Sequence, residues 1–299
     1  MGLPVNNDSS SVQLSRCEDL WYEDGSIILA AEGMGFKVYR MILAQHSSVF
    51  ADMLALSSPE ANVDPMYGCP LVHLSDPAED LRYLLLTIHD VSFGERIDRA
   101  PFKEFAAVAY LAIKYDIPRL RDRIVARLDR WYPQVIISWK HILRPPLSPA
   151  EHRTVIDLAR QLQKPVLVPF MMLALCQEGV ERILQAELEP DDLLIVLRGL
   201  SKLQNLQRKN TYRWLFRGPR LCQTKELCAS ARDNLADAME RSMDSDSKLR
   251  LFTPTPDEDE MWDAGLCDVC TEHAVVAHET RSKAIWDRIP AVFSDSGAQ

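Results

Sequence analysis

Two pairs of cysteines are the residues in this chain best suited to carry chemistry. Cys267 and Cys270 are separated by two residues, the spacing with which a short loop grips a metal ion, and Cys222 and Cys228 form a second pair with a looser gap. Together the four supply thiolates for a tetrahedral zinc ion, with His273 or His278 as a substitute for one of them. Four thiolates bring a charge of about −4 and zinc offsets two, so Arg281 or Lys225 is a candidate to balance the remainder. The other reading leaves Cys222 and Cys228 as apolar residues buried in a helix, since free cysteine is among the most buried residue types. Both readings stay open at the level of sequence. A thioredoxin-like use of Cys267 and Cys270 is disfavoured, because no strand-to-helix crossover surrounds them.

Nothing else in the chain forms a reactive set, and the expectation is that the protein is not an enzyme. His46 beside Ser47, or Asp24 near Ser26, invites a hydrolase reading. Neighbours at i and i+1 on a helix point apart, however, and no G-x-S-x-G elbow is present. There is no G-x-x-x-x-G-K-[ST] phosphate loop and no G-x-G-x-x-G fingerprint. Gly33 and Gly35 read as turn residues, and His89, His141 and His152 as isolated surface or core residues.

Composition narrows the class further. The 299 residues, 47% hydrophobic and 26% charged, are enough for one large or two ordinary globular domains. A formal net charge of −9 argues against a general nucleic-acid binder, whose affinity rests on clustered Lys and Arg. No apolar run reaches the ~18–20 residues of a membrane span. The first residues lack a basic n-region followed by an apolar h-region, and Gly2 is followed by Asn6 where myristoylation favours Ser or Thr. With seven cysteines, an odd number, these features predict an intracellular protein of the cytoplasm or nucleus without a disulfide framework.

The periodicities name the elements that must position these residues. Residues 1–16 are polar and Ser-rich and read as a flexible tail. Leu20, Trp21 and Tyr22 precede a hairpin in which Ser26 to Ala31 and Phe36 to Arg40 are split by Glu32, Gly33, Met34 and Gly35. From Met41 the period changes to 3.6, with Leu43, Val49, Phe50, Met53 and Leu54 on apolar faces and Ser47 as N-cap. Leu71 to Leu74 is a third strand, and Asp76 with Pro77 starts a helix as cap and first residue. Its face carries Leu81, Leu84, Leu85 and Ile88. Phe105, Val108, Ala109 and Ala112 mark the next helix, and Ile117, Leu120, Ile124, Leu128 and Trp131 the one after. Beyond Pro133 follow helices over 148–162, 166–175 and 191–206, the last with Leu193, Leu194, Leu197, Leu200 and Leu203 as core candidates. The stretch 244–260 is acidic and Pro-containing, like a linker.

Several of these segments resemble the BTB/POZ domain. Phe36-x-Val38 followed by Leu43, Ser47 and Phe50 looks like its F-x-V-H-x-x-x-L…S-x-x-F pattern, with Tyr39 where many members carry His. CPLVHLSD (69–76), DLRYLLLTIHD (80–90) and VAYLAIKYDIPRLRDRIVARL (108–128) extend the likeness over about 115 residues, in wording similar to BTB proteins abundant in basidiomycete fungi. The ending Arg281-x4-Trp286-x2-Ile289-Pro290-x2-Phe293 after the CxxC is similar to that of the same group. The resemblance implies an α+β chain. Its parts would be a BTB/POZ domain over 17–133, an all-α extension over 134–243 and a CxxC tail over 261–299. It also implies protein–protein interaction, as a homo-oligomeric scaffold or co-regulator, or as a substrate adaptor for a cullin-type ubiquitin ligase. Cullin-binding relatives often carry a hydrophobic-x-Glu motif before the third strand, where this chain has Ser58 and Glu60. That departure favours the scaffold. Leu14, Leu20 and Trp21 are apolar residues ahead of the hairpin that a dimer would use.

Overall fold

In the computed structural model, the alternation around Phe36 becomes an antiparallel hairpin of β2 (Ile27–Ala31) and β3 (Met34–Val38). Residues 14–56, 66–89, 97–140, 145–207, 213–244, 261 and 263–294 are described, with the backbone alone over 239–244. The hairpin turn is tighter than the four residues expected. Ala31 pairs directly with Met34, and Glu32 and Gly33 alone make the loop, both at positive φ (48° and 79°). That pair of dihedrals is the primed turn whose twist matches the strands it joins. Gly35 lies within β3 instead of in the turn.

The hairpin forms the middle of a four-stranded sheet, ordered β1-β3-β2-β4. Strand β1 (Ser15–Trp21) runs parallel to β3, and β4 (Leu71–His73) parallel to β2. All five residues of β2 are buried, as expected of a central strand covered on both faces. The start of β1 at Ser15 corrects the tail reading for residues 14–16, and residues 1–13 lie outside the described residues. Leu14 and Leu20 are buried within this unit, and Leu14 packs with Ile28, Ala30 and Cys69. They are core, not a free dimer surface.

Helices α1 (Arg40–His46) and α2 (Ser48–Leu56) meet at Ser47, whose hydroxyl accepts the Phe50 N–H at 2.9 Å and donates to the Tyr115 carbonyl. One buried hydroxyl thus caps α2 and ties it to the end of a distant helix. Phe50 is fully buried and stacks on Tyr115 with ring centroids 4.4 Å apart. Val49 faces solvent, a correction to its expected place on the apolar face. Helix α3 (Ala78–His89) buries Leu81, Leu84 and Leu85. Asp76 does not cap it. Its buried carboxylate accepts from Lys114 Nζ at 2.5 Å and from the Tyr115 hydroxyl, while the Ala78 N–H donates to Glu32. Burial first, and then the bond to Asp76, pushes the Tyr115 hydroxyl well above the usual phenol range. Helices α4 (Phe102–Lys114) and α5 (Pro118–Trp131) bury the apolar stripes read from the sequence.

The chain divides into two compact units, Met1–Ala126 and Arg127–Gln299, the division falling inside α5 and ahead of Pro133. The second unit is built of helices. After α6 (Ile136–Lys140), α7 (Pro149–Gln161) starts with a reciprocal capping box in which Ser148 and Glu151 satisfy each other's backbone N–H groups. Helix α8 (Val168–Glu178) is apolar all round and buried from Phe170 to Cys176, followed by α9 (Val180–Gln185). Helix α10 (Pro190–Leu206) buries Val196, Gly199, Leu200 and Leu203. Leu200 and Leu203 are buried as expected, whereas Leu194 is exposed and Leu193 and Leu197 are half-buried, because ahead of Leu200 the buried stripe runs one position earlier, through Asp192 and Val196. Short α11 (Arg213–Phe216) precedes α12 (Lys225–Asp244), α13 (Asp268–Trp286) and α14 (Ile289–Val292). The linker reading for 245–260 lies outside the described residues.

The aromatic ending is core. Trp286 packs against Trp139 and Phe170 with centroids 5.3 and 5.1 Å away, and its indole N–H donates to the Gln134 carbonyl at 3.1 Å. The ring of Phe293 lies so close to Gly199 that a Cβ there would come within 2.3 Å of it. No side chain fits between them.

Replacing Phe50 with Ala removes a fully buried ring and is expected to cost about 3–5 kcal/mol, read as an earlier thermal transition by circular dichroism. A shift of under a degree would refute the packing described. Gly199→Ala, harmless in most helices, is expected to destabilise this one and expose Trp286 fluorescence to solvent, whereas an unchanged emission maximum would contradict the contact.

Candidate metal centre

Each of the four cysteines is placed by a different local device. Cys222 occupies a turn after Pro219, from which its N–H bonds to the Pro219 carbonyl. Cys228 lies in the first turn of α12, where its N–H reaches the Thr224 carbonyl at 2.9 Å. Cys267 is the N-cap of α13, its carbonyl accepting from the N–H groups of Cys270 and Thr271, and Cys270 is in the first turn of that helix. Four sulfur atoms from two segments converge so that all lie within 4.8 Å of one another. They lie close enough to hold a metal ion. A zinc ion with Zn–S bonds of about 2.3 Å would hold its sulfurs about 3.8 Å apart, inside the 4.8 Å that this cluster spans.

The surroundings suit a structural site. Cys228 and Cys270 are buried among Trp214, Leu215, Ala231, Met261, Leu266 and Ala274, with Cys222 and Cys267 half-buried at the edge. All four are free thiols. The Cys228 sulfur accepts the Cys267 backbone N–H at 3.3 Å and lies 3.1 Å from the Thr224 hydroxyl. Two helix N-termini therefore present positive dipole ends to the sulfurs. Burial alone would push the Cys267 thiol up. The backbone N–H groups of Gln223 and Cys270 and the thiols of Cys228 and Cys270 outweigh it, and the pKa falls to about 6. Cys270 is held well above the ordinary thiol range, by burial and then by its bonds to Cys222, Cys267 and Cys228.

A cation beyond the two candidates stands at the sulfurs. The guanidinium nearest the sulfurs is that of Arg232, with Nη1 3.9 Å from Cys270 Sγ. Arg232 lies one turn beyond Cys228 on α12, and this i, i+4 spacing is a signal in the sequence from which it could have been found. Arg281 instead lines a surface groove, where burial and then the nearby Arg213 charge lower its pKa. Neither His273 nor His278 joins the sulfur cluster. His273 is in the same groove, and His278 is buried farther along α13.

No protein-family model matches the chain, and no curated protein matches it. The remaining candidates have structural partners. His152 Nε2 lies 2.8 Å from Glu178, which also pairs with Arg182. Tyr39 donates to Asp24 at 2.7 Å and stacks with Tyr22 and His89, and Ser26 accepts the Arg40 N–H. His141, Ser58 and Glu60 lie outside the described residues. Among those residues, no helix is long and apolar enough to cross a membrane.

In metal-free protein, Cys267 is expected to be the first of the four thiols alkylated by iodoacetamide near neutral pH, its rate falling as pH drops through about 6. Peptide mass spectrometry reads the order, and earlier labelling of Cys270 would contradict the electrostatics described.

Proposed function

We propose that the chain is a non-catalytic protein–protein interaction scaffold of the BTB/POZ kind. It self-associates through its first unit and carries a structural zinc ion on Cys222, Cys228, Cys267 and Cys270 in its second. The observation that carries the zinc assignment is the closure of the sulfur cluster. Two of its ligands are buried in an apolar core, and four protein sulfurs leave no coordination position for a substrate. Such a site contributes binding energy to folding and does not activate water.

Support for the scaffold role is of two kinds. The order of elements, a hairpin followed by paired helices, a returning strand and further helices, agrees with the resemblance read from the sequence. Met41 and Leu56, on consecutive helices, are 73% and 88% exposed, and Val49 between them also faces solvent. Large apolar side chains left this exposed support a protein partner over water. A second copy of the unit supplies the self-complementary surface most common among soluble oligomers.

Zinc measured by elemental analysis on untagged protein is expected near one per chain, and Cys267→Ser with Cys270→Ser is expected to abolish it and leave the second unit open to protease. A ratio near zero in folded, chelator-free protein would sink the assignment. Light scattering at micromolar concentration is expected to give a multiple of 34.0 kDa, returning to a single chain in the variant Met41→Glu with Leu56→Glu. A single-chain mass for the parent would rule out the scaffold.

A further inference from the structure

A groove of about 620 Å³ opens between the turn at 219–221 and the outer face of α13. Its floor is aliphatic. Val269, Val276 and Ala277 come from α13, and Leu221 comes from the turn. Leu221 and Val276 are 83% and 55% exposed, so this surface is left to solvent in the chain alone. Arg220 and Arg281 add guanidinium groups to the same walls. They belong to a local excess of positive charge in a chain of net charge −9, since Arg213, Arg217 and Arg220 fall within one short segment and Arg213 acts on Arg281. Neither Arg217 nor Arg220 makes a salt bridge among the described residues. Converging like charges beside an exposed apolar floor are complementary to a ligand that is anionic and apolar at once.

We propose that this groove binds an acidic segment of a partner protein, with carboxylates on Arg220 and Arg281 and an aliphatic side chain on the floor between Leu221 and Val276. The size agrees. From Val269 to Arg281 the helix rises about 18 Å, the span of about five extended residues. The chemistry of the walls favours a peptide over other anions. No Phe, Tyr or Trp lines the groove and His273 is its one small aromatic ring among the described residues, so a run of unpaired bases lacks the successive stacking platforms it needs. Glu272 in the wall repels a continuous phosphate backbone yet accepts a peptide N–H. The proposal is independent of the self-association assigned to the first unit. It needs zinc only to the extent that Val269 stands between Cys267 and Cys270.

The test is panning of a random peptide library over the immobilised full chain and, in parallel, over the variant Arg220→Gln with Arg281→Gln. Sequences enriched on the parent alone are expected to place Asp or Glu beside Leu, Ile or Val. Fluorescence anisotropy of one such labelled peptide is expected to show binding weakened about tenfold by the double variant, ~1.4 kcal/mol, and likewise by Val276→Asp, which puts a like charge on the exposed floor. Zinc content equal to the parent's in each variant separates a lost groove from a lost metal centre. Enrichment without acidic residues, or binding by either variant equal to the parent's, overturns the proposal. So does tighter binding of a single-stranded DNA oligonucleotide or of phosphatidylserine vesicles than of the peptide.

Discussion

Four sulfur atoms within 4.8 Å of one another, two of them in an apolar core, cannot all be ionised unless a cation lies among them. At such separations like charges repel by several kcal/mol even at an effective dielectric near 20. Without metal the cluster resolves the conflict by unequal protonation, with Cys267 held low and Cys270 held high. With a divalent cation the repulsion becomes the driving force of coordination, and apparent binding energies of about 10–16 kcal/mol are typical of such sites. The energetic scale matters because the local core is small. Trp214, Leu215, Met261 and Leu266 are its largest fully buried side chains, drawn from short segments that would be marginal as a free-standing core. The dipole ends of α12 and α13 and the guanidinium of Arg232 complete the neutralisation.

The tail is consequently anchored twice. Its first helix is fixed at the N-terminus by the sulfur cluster and at the C-terminus by Trp286 between Trp139 and Phe170. The rise of 1.5 Å per residue places these anchors about 24–29 Å apart along α13. Between them the buried face of α13 is small and polar, with Thr271, Ala274, His278 and Ser282. Little apolar surface is buried there, so the ends carry the load that an amphipathic stripe carries in an ordinary helix. The absence of Cβ at Gly199, which admits the Phe293 ring, extends the second anchor past the end of the helix.

Sequence revealed elements wherever the local pattern and the tertiary environment agree. The stripe Ile117, Leu120, Ile124, Leu128 and Trp131 is buried as read, and the helix expected over 148–162 forms, with Ser148 and Glu151 as its capping box. Reading failed where a distant partner decides. Asp76 has the position of a helix cap, yet Lys114 and Tyr115 claim its carboxylate. Leu20 packs onto the hairpin as its place ahead of it suggests, yet the segment does so as a strand, β1, that enters the sheet parallel to β3, a pairing no short-range signal encodes. The cysteine set was legible from spacing and residue type alone. Its helical setting was not, because α12 and α13 have polar, weakly periodic sequences whose formation depends on the contacts at their ends.

The same distinction bears on what each unit has left to offer. In the first unit, the apolar residues nearest the chain start are consumed by the sheet, and Ser47 and Asp76 spend their polar groups joining α2, α3 and the end of α4. The large apolar side chains this unit leaves most exposed among the described residues are Met41, Leu56 and Met66, with Val49 and Tyr110 less so. In the second unit, the exposed aliphatics Leu221 and Val276 are flanked by guanidiniums, which makes self-association through that face self-repelling. The exposed apolar side chains of the first unit and the cationic groove of the second thus differ in chemistry, and under the functions proposed above they take different partners, a copy of the chain and an acidic segment of another protein.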